Sequence, residues 1–92
     1  MIRSFRNRST QQFFEGEQVP AYQGFVDQAT CRLTLLDSAE ALRDLAGLPS
    51  NRLAALRGDR AGRHGIRINT QWRICFRWTD EGPCDVEIVD TE

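Results

Sequence analysis

The strongest constraint on this chain is a change of hydrophobic period. After Gly62 the apolar residues recur at every second position: Ile66 and Ile68, then Trp72, Ile74, Phe76 and Trp78. Between them stand Arg67 and Asn69, then Arg73, Cys75 and Arg77. Successive side chains leave a strand on opposite sides, so period two means extended chain with one buried and one open face. Two strands turning at Asn69-Thr70 are expected, with the apolar residues toward a core and the arginines away from it. After a loop through Thr79, Asp80, Glu81, Gly82 and Pro83, residues 84–89 make a third strand with Val86 and Ile88 on one face.

Upstream the period is that of helices. Residues 2–5 alternate apolar and polar and suit a short strand. Asn7, Ser9 and Thr10 offer N-caps for a helix through Phe13 and Phe14, which Gly16 ends, and residues 15–20 form a loop. Over residues 21–37, Tyr22, Phe25, Val26, Ala29, Leu33, Leu35 and Leu36 are spaced by threes and fours, which predicts one long helix. Ser38 then caps a shorter helix ending at Gly47, and residues 48–56, with Pro49, Ser50 and Asn51, connect it to the strands. Helices followed by an antiparallel meander indicate an α+β fold: an N-terminal strand and two to three helices packed on one face of a small antiparallel sheet.

Charge adds the functional hint. The chain of 92 residues, expected to be a single domain over 1–92, has a net charge of −1. Yet residues 56–78 hold Arg57, Arg60, Arg63, Arg67, Arg73 and Arg77 against the single acid Asp59, a local balance of 6 − 1 = +5. Such a concentration fits an anionic partner, because guanidinium forks match phosphate geometry; a solvated strand face is the plainer alternative. The aromatic stripe of Trp72, Phe76 and Trp78 reads as core rather than as a base-stacking platform. His64 is the only histidine and opens the basic strand, so it is a candidate proton carrier beside the more ordinary reading of a surface residue. Asp90 and Glu92 are candidate carboxylates next to the arginines.

Other classes are excluded or left without support. No apolar run approaches the roughly 20 residues that cross a bilayer, and MIRSFRNRST lacks the apolar stretch of a secretion signal, so a cytoplasmic protein without a membrane partner is expected. Cys31, Cys75 and Cys84 are odd in number and lack C-x-x-C spacing, which fits free thiols in a reducing compartment. No metal-ligand spacing, nucleotide loop or Ser/His/Asp set is present; GDRAG has no following Lys-Ser/Thr and no preceding strand. Neither metal nor other cofactor is expected.

Together the residues PSNRLAALRGDRAGRHGIRINTQWRICFRWTDEGPCDVEIVD resemble the HigB branch of the RelE/ParE toxin superfamily, the plasmid-maintenance killer proteins. The likeness rests on the L-x-G-D-R-x-G loop, the G-I-R-I-N and Q-W-R-I-C-F-R-W strands and the D-V-E-I-V-D ending, and the opening MIRSF fits as well. The resemblance implies a RelE-like fold, ribosome-dependent cleavage of messenger RNA, and inhibition by a helix-turn-helix, HigA-like antitoxin. That antitoxin would carry the complex to operator DNA. Carried over by position, Arg57 and Arg73 correspond to phosphate- and transition-state-binding residues, and Asp90 to the acid ending the last strand. Arg60, Arg63, Arg67 and Arg77 then become candidates for the flanking RNA backbone. The chain departs from the family at Ala54, where some members have histidine, and at Asp90-Thr91-Glu92, where members commonly end Asp-Tyr-His. Several readings stay open: an mRNA endonuclease, if of weakened activity or one relying on His64 and Glu92; a non-catalytic RNA- or partner-binding variant; and a gyrase-poisoning toxin of the sister branch.

Overall fold

The alternating half of the chain folds as expected, into an antiparallel meander. The computed structural model describes residues 1–47, 52–56 and 62–90. In chain order these form α1 (Arg8–Phe14), a 3₁₀-helix (Pro20–Phe25), α2 (Val26–Ser38), α3 (Leu42–Ala46), β1 (Ala54–Ala55), β2 (His64–Arg67), β3 (Trp72–Thr79) and β4 (Gly82–Asp90). The four strands lie in the order β1-β2-β3-β4. The architecture is α+β, with helices before the sheet.

The core sits where the two periods meet. Ile66, Ile68, Ile74, Phe76, Val86 and Ile88 bring the apolar sheet face to Phe13, Tyr22, Phe25, Ala29, Leu33, Leu36 and Leu45 from the helical half. Phe76 and Ile74 are fully buried. Trp72 is half-buried and packs its ring 5.1 Å from Phe25 and 5.9 Å from Tyr22, edge-on to the latter. Trp78 meets Phe76 edge-to-face at 6.5 Å. Of the strand residues expected against Phe25, Val26, Ala29 and Leu33, Ile68, Ile74 and Phe76 are buried and Trp72 is half-buried, as is Val26.

The N-terminus completes the sheet edge. Phe5 bridges Val86 in parallel, and the Arg6 amide donates to the Val86 carbonyl while the Val86 amide donates to the Ser4 carbonyl. Farther along β4, on the edge away from β3, the buried Thr10 hydroxyl of α1 accepts the Ile88 amide at 2.9 Å. The strand expected over 2–5 is thus no more than an isolated bridge at Phe5, and α1 takes over beside β4 where it stops. Asn7 caps α1 as expected, its side chain accepting the Thr10 amide at 2.9 Å, and Gly16 follows the helix at φ +95°.

Several details differ from the sequence reading. The single helix expected over 21–37 is a 3₁₀-helix followed by α2, because the chain bends at Phe25, whose φ of −146° is not helical. Ser38 ends α2 instead of starting α3, its hydroxyl bonding back to the Thr34 carbonyl. α3 is led by Ala41, with Asp44 accepting the amides of Glu40 and Ala41. The connecting segment contains β1, paired to β2 at Ala54↔Gly65 and Ala55↔His64. The turn is also wider than Asn69-Thr70: the last strand pair is Arg67↔Arg73, and the Asn69 side chain accepts the amides of Gln71 and Trp72.

Candidate functional site

Alternation along β3 puts Arg73, Cys75 and Arg77 on the face away from the helices, and pairing adds Arg67 opposite Arg73 and Glu87 opposite Cys75. Two like charges directly across a strand pair repel. The conflict is relieved by splaying. Arg67 turns toward the hairpin end, where its Nε donates to the Asn69 carbonyl at 3.0 Å. Arg73 lies the other way, with its aliphatic stem over Gly65 of β2, beside Leu56. Both arginines are half-buried.

The opposite end of the same face is partly neutralised. Between Cys75↔Glu87 and Arg77↔Cys84 the register shifts, so β4 carries one residue more than β3. This bulge places Asp85 at φ 53°, a left-handed conformation that aspartate tolerates better than most residues. The Ser4 hydroxyl accepts the Asp85 amide at 2.8 Å and helps to hold it there. The Asp85 carboxylate then meets Arg63 at 3.4 Å and Arg77 at 3.5 Å. Glu87, buried on this face, pairs with Arg6 at 3.6 Å and Arg63 at 4.0 Å. Three arginines against two acids leave 3 − 2 = +1 at this end. Toward the hairpin turn Arg67 and Arg73 have no carboxylate among the ion pairs of the described residues.

The other candidates stand elsewhere. His64 pairs with Phe76 across β2 and β3, so it is on the helix-facing side, its ring stacked 6.2 Å from Phe76. Its Nδ1 is buried without a hydrogen-bond partner among the described residues. Asp90 pairs with Trp72, which also puts it across the sheet from Arg73, and its carboxylate accepts from the Gln71 side-chain Nε2 at 2.9 Å. Arg57, Arg60 and Glu92 lie outside the described residues. The structure thus brings Arg67, Arg73, Arg77 and Arg63 to one face and leaves His64 and Asp90 off it.

Sequence reasoning missed Asp85, Glu87 and Gly65. The signal for Glu87 was present, since a residue between Val86 and Ile88 cannot share their core-facing side. Parity with Ile66 likewise places His64, and parity with Ile88 places Asp90. The bulge at Asp85 had no such signal. Among the described residues no three His, Cys, Asp or Glu side chains gather as a metal site would need. No helix among them is long and apolar enough to cross a membrane.

A sheet with helices on one face and arginines on the other defines a class of small α+β proteins with one basic face, and the comparisons narrow it. Residues 3–91 match the HigB-like toxin family, described as the RelE-like toxin of type II toxin-antitoxin system HigB. The chain is 34% identical over 85 residues to Toxin HigB-1 of Vibrio cholerae serotype O1, covering 87% of this chain and 86% of that one. It is 33% identical over 81 residues to Endoribonuclease HigB of Proteus vulgaris, covering 85% of each. This chain belongs to the HigB-like toxin family. As a type II toxin it has an antitoxin for partner.

Proposed function

We propose that the chain is an endoribonuclease that cuts messenger RNA held on the ribosome, with Arg73 binding the scissile phosphate. The observation that carries this reading is Arg73 itself. On a face where Arg63 and Arg77 are held by carboxylates and Arg67 by a carbonyl, no hydrogen bond or ion pair of the described residues engages the Arg73 guanidinium. A relative of this length named for endoribonuclease activity supports the same reaction.

In that reaction the RNA 2′-oxygen attacks the adjacent phosphorus, loses its proton to a base, and expels the 5′-oxygen, which takes up a proton. Charge accumulates on the phosphoryl oxygens, and a preorganised cation there is often the largest contribution to rate. Arg73 supplies that cation, Arg57 a second one, and Arg60 and Arg67 track the flanking backbone. Arg63 and Arg77 contribute a weaker field through their acids. Asp90 holds the β2–β3 turn through Gln71. A substrate already positioned by the ribosome lowers the demand on the protein's own proton carriers.

A second reading, a non-catalytic binder of RNA, is favoured by one observation: His64 and Asp90 do not share the face of Arg73. Inducing the chain in growing cells and mapping the 5′ ends of cellular mRNA separates the readings. Growth arrest with new ends inside coding sequences supports the nuclease. Arrest with DNA damage instead indicates gyrase poisoning, and no arrest indicates the binder. The reading also places the protein in the cytoplasm. Its antitoxin is a helix-turn-helix protein that takes the complex to operator DNA and docks on the helical half, where Glu15, Glu17, Asp27 and Glu40 are exposed. Hydrogen exchange of the co-purified complex should show protection on α1 and α2; protection confined to the sheet contradicts that docking.

A further inference from the structure

Gly65 lies in an interior strand, paired with Ala54 on one side and Cys75 on the other. Glycine is unfavourable there and usually marks a close approach by another group. Its backbone gives no reason for it, since its φ is outside the left-handed region that Gly16, Gly62 and Gly82 occupy. The reason is the Arg73 side chain. A Cβ on Gly65 would stand 2.6 Å from Arg73 Cδ and 3.1 Å from Cγ, with Leu56 Cδ2 at 3.5 Å. Carbon atoms do not approach to 2.6 Å, so the stem occupies the space that any side chain at position 65 would take.

We propose that Gly65 is a positioning residue for Arg73, an inference that rests on reading Arg73 as the phosphate-binding group. The bare backbone of β2 forms a trough in which the arginine stem lies flat. Arg67, directly opposite Arg73 and carrying the same charge, closes the alternative direction toward the turn. The trough between Gly65 and Leu56 therefore fixes where the guanidinium ends up before any RNA arrives. Adding a methyl group lifts the stem out of the trough and displaces the guanidinium, while leaving its charge on the same face. A displacement of about 1 Å in a group that must meet a transition state costs on the order of a hundredfold in rate. Attraction for RNA depends on the charge and changes little.

The test is a double-mutant cycle in single-turnover cleavage of a short mRNA on purified ribosomes, using the full chain as parent, Gly65→Ala, Arg73→Ala and the double variant. Gly65→Ala should lower the maximal cleavage rate ten- to a hundredfold with half-saturation changed less than threefold. On the Arg73→Ala background it should cause no further loss, because the group it positions is gone. An equal loss in both backgrounds would mean a structural effect and would overturn the proposal. Parent-like cleavage by Gly65→Ala, with Arg73→Ala impaired, overturns the role of Gly65 and leaves the phosphate site standing. Parent-like cleavage by Arg73→Ala removes that site and Gly65 with it. If Gly65→Ala alone does not fold by circular dichroism, the added Arg73→Ala change should restore folding by removing the clashing stem; a double variant that stays unfolded also overturns the proposal.

Discussion

Asp85 sits at φ 53° and faces two arginines, so its backbone and its charge can be separated by substitution. Asn is also at ease in the left-handed region, so Asp85→Asn should keep the bulge while removing the negative charge. The pair with Arg77, at side-chain exposures of 36% and 52%, accounts for at most about 1 kcal/mol of the stability lost, and the pair with Arg63, which is only 12% exposed, adds to it. RNA binding should change more. Arg77, and in part Arg63, becomes available to phosphates, and the log–log slope of affinity against salt should steepen by about 0.7 for each new contact on single-stranded RNA. Fluorescence anisotropy with a labelled oligonucleotide at several salt concentrations measures it. An unchanged slope would show that the acids do not mask these arginines.

Secondary-structure elements were legible in proportion to how local their causes are. β3 announced itself because Trp72, Ile74, Phe76 and Trp78 repeat at a period no helix can use. α1 did so through Asn7 and Gly16, a cap and a stop within one short segment. β1 was not legible: Ala54 and Ala55 carry no strand preference, and they are extended because β2 lies beside them. The 3₁₀-helix before α2 was hidden because its apolar residues, Tyr22 and Phe25, keep the spacing of a continuous helix. Of the candidate site, the arginine face followed from alternation alone. The acids that take up half of it did not, since they depend on where β4 bulges against β3. The contact between α1 and β4 is likewise tertiary, and it yields a prediction. Thr10→Val preserves shape but removes the acceptor of the Ile88 amide, leaving a buried N–H without a partner. Urea denaturation should show a loss of about 1–3 kcal/mol. A change of only a few tenths would mean that the hydroxyl is not what holds α1 to the sheet.

For the whole molecule, one core supports both faces. Phe76 is fully buried between the helices and the strand that carries Arg73 and Arg77. Phe76→Ala should cost about 3–5 kcal/mol by equilibrium unfolding, a large part of the roughly 5–15 kcal/mol available to a small domain. A loss under 1 kcal/mol would contradict the packing described. The molecule is nearly neutral in sum, yet among the described residues of the open sheet face Arg67 and Arg73 stand without a carboxylate at the turn end, while Asp85 and Glu87 offset the arginines at the other. That distribution suits a protein that meets RNA on one side and an antitoxin on another. In the function proposed above Arg73 acts on the phosphate during cleavage, whereas Arg77, paired with Asp85, only adds to the attraction for the strand. Single-turnover cleavage of ribosome-bound mRNA by Arg73→Ala and Arg77→Ala tests this most directly. Arg73→Ala should lose about a hundredfold in maximal rate, close to 3 kcal/mol of transition-state stabilisation, with little change in half-saturation. Arg77→Ala, whose charge Asp85 already offsets, should keep the parent's maximal rate and raise half-saturation only modestly. An Arg73→Ala chain that cleaves at the parent's maximal rate would contradict the account.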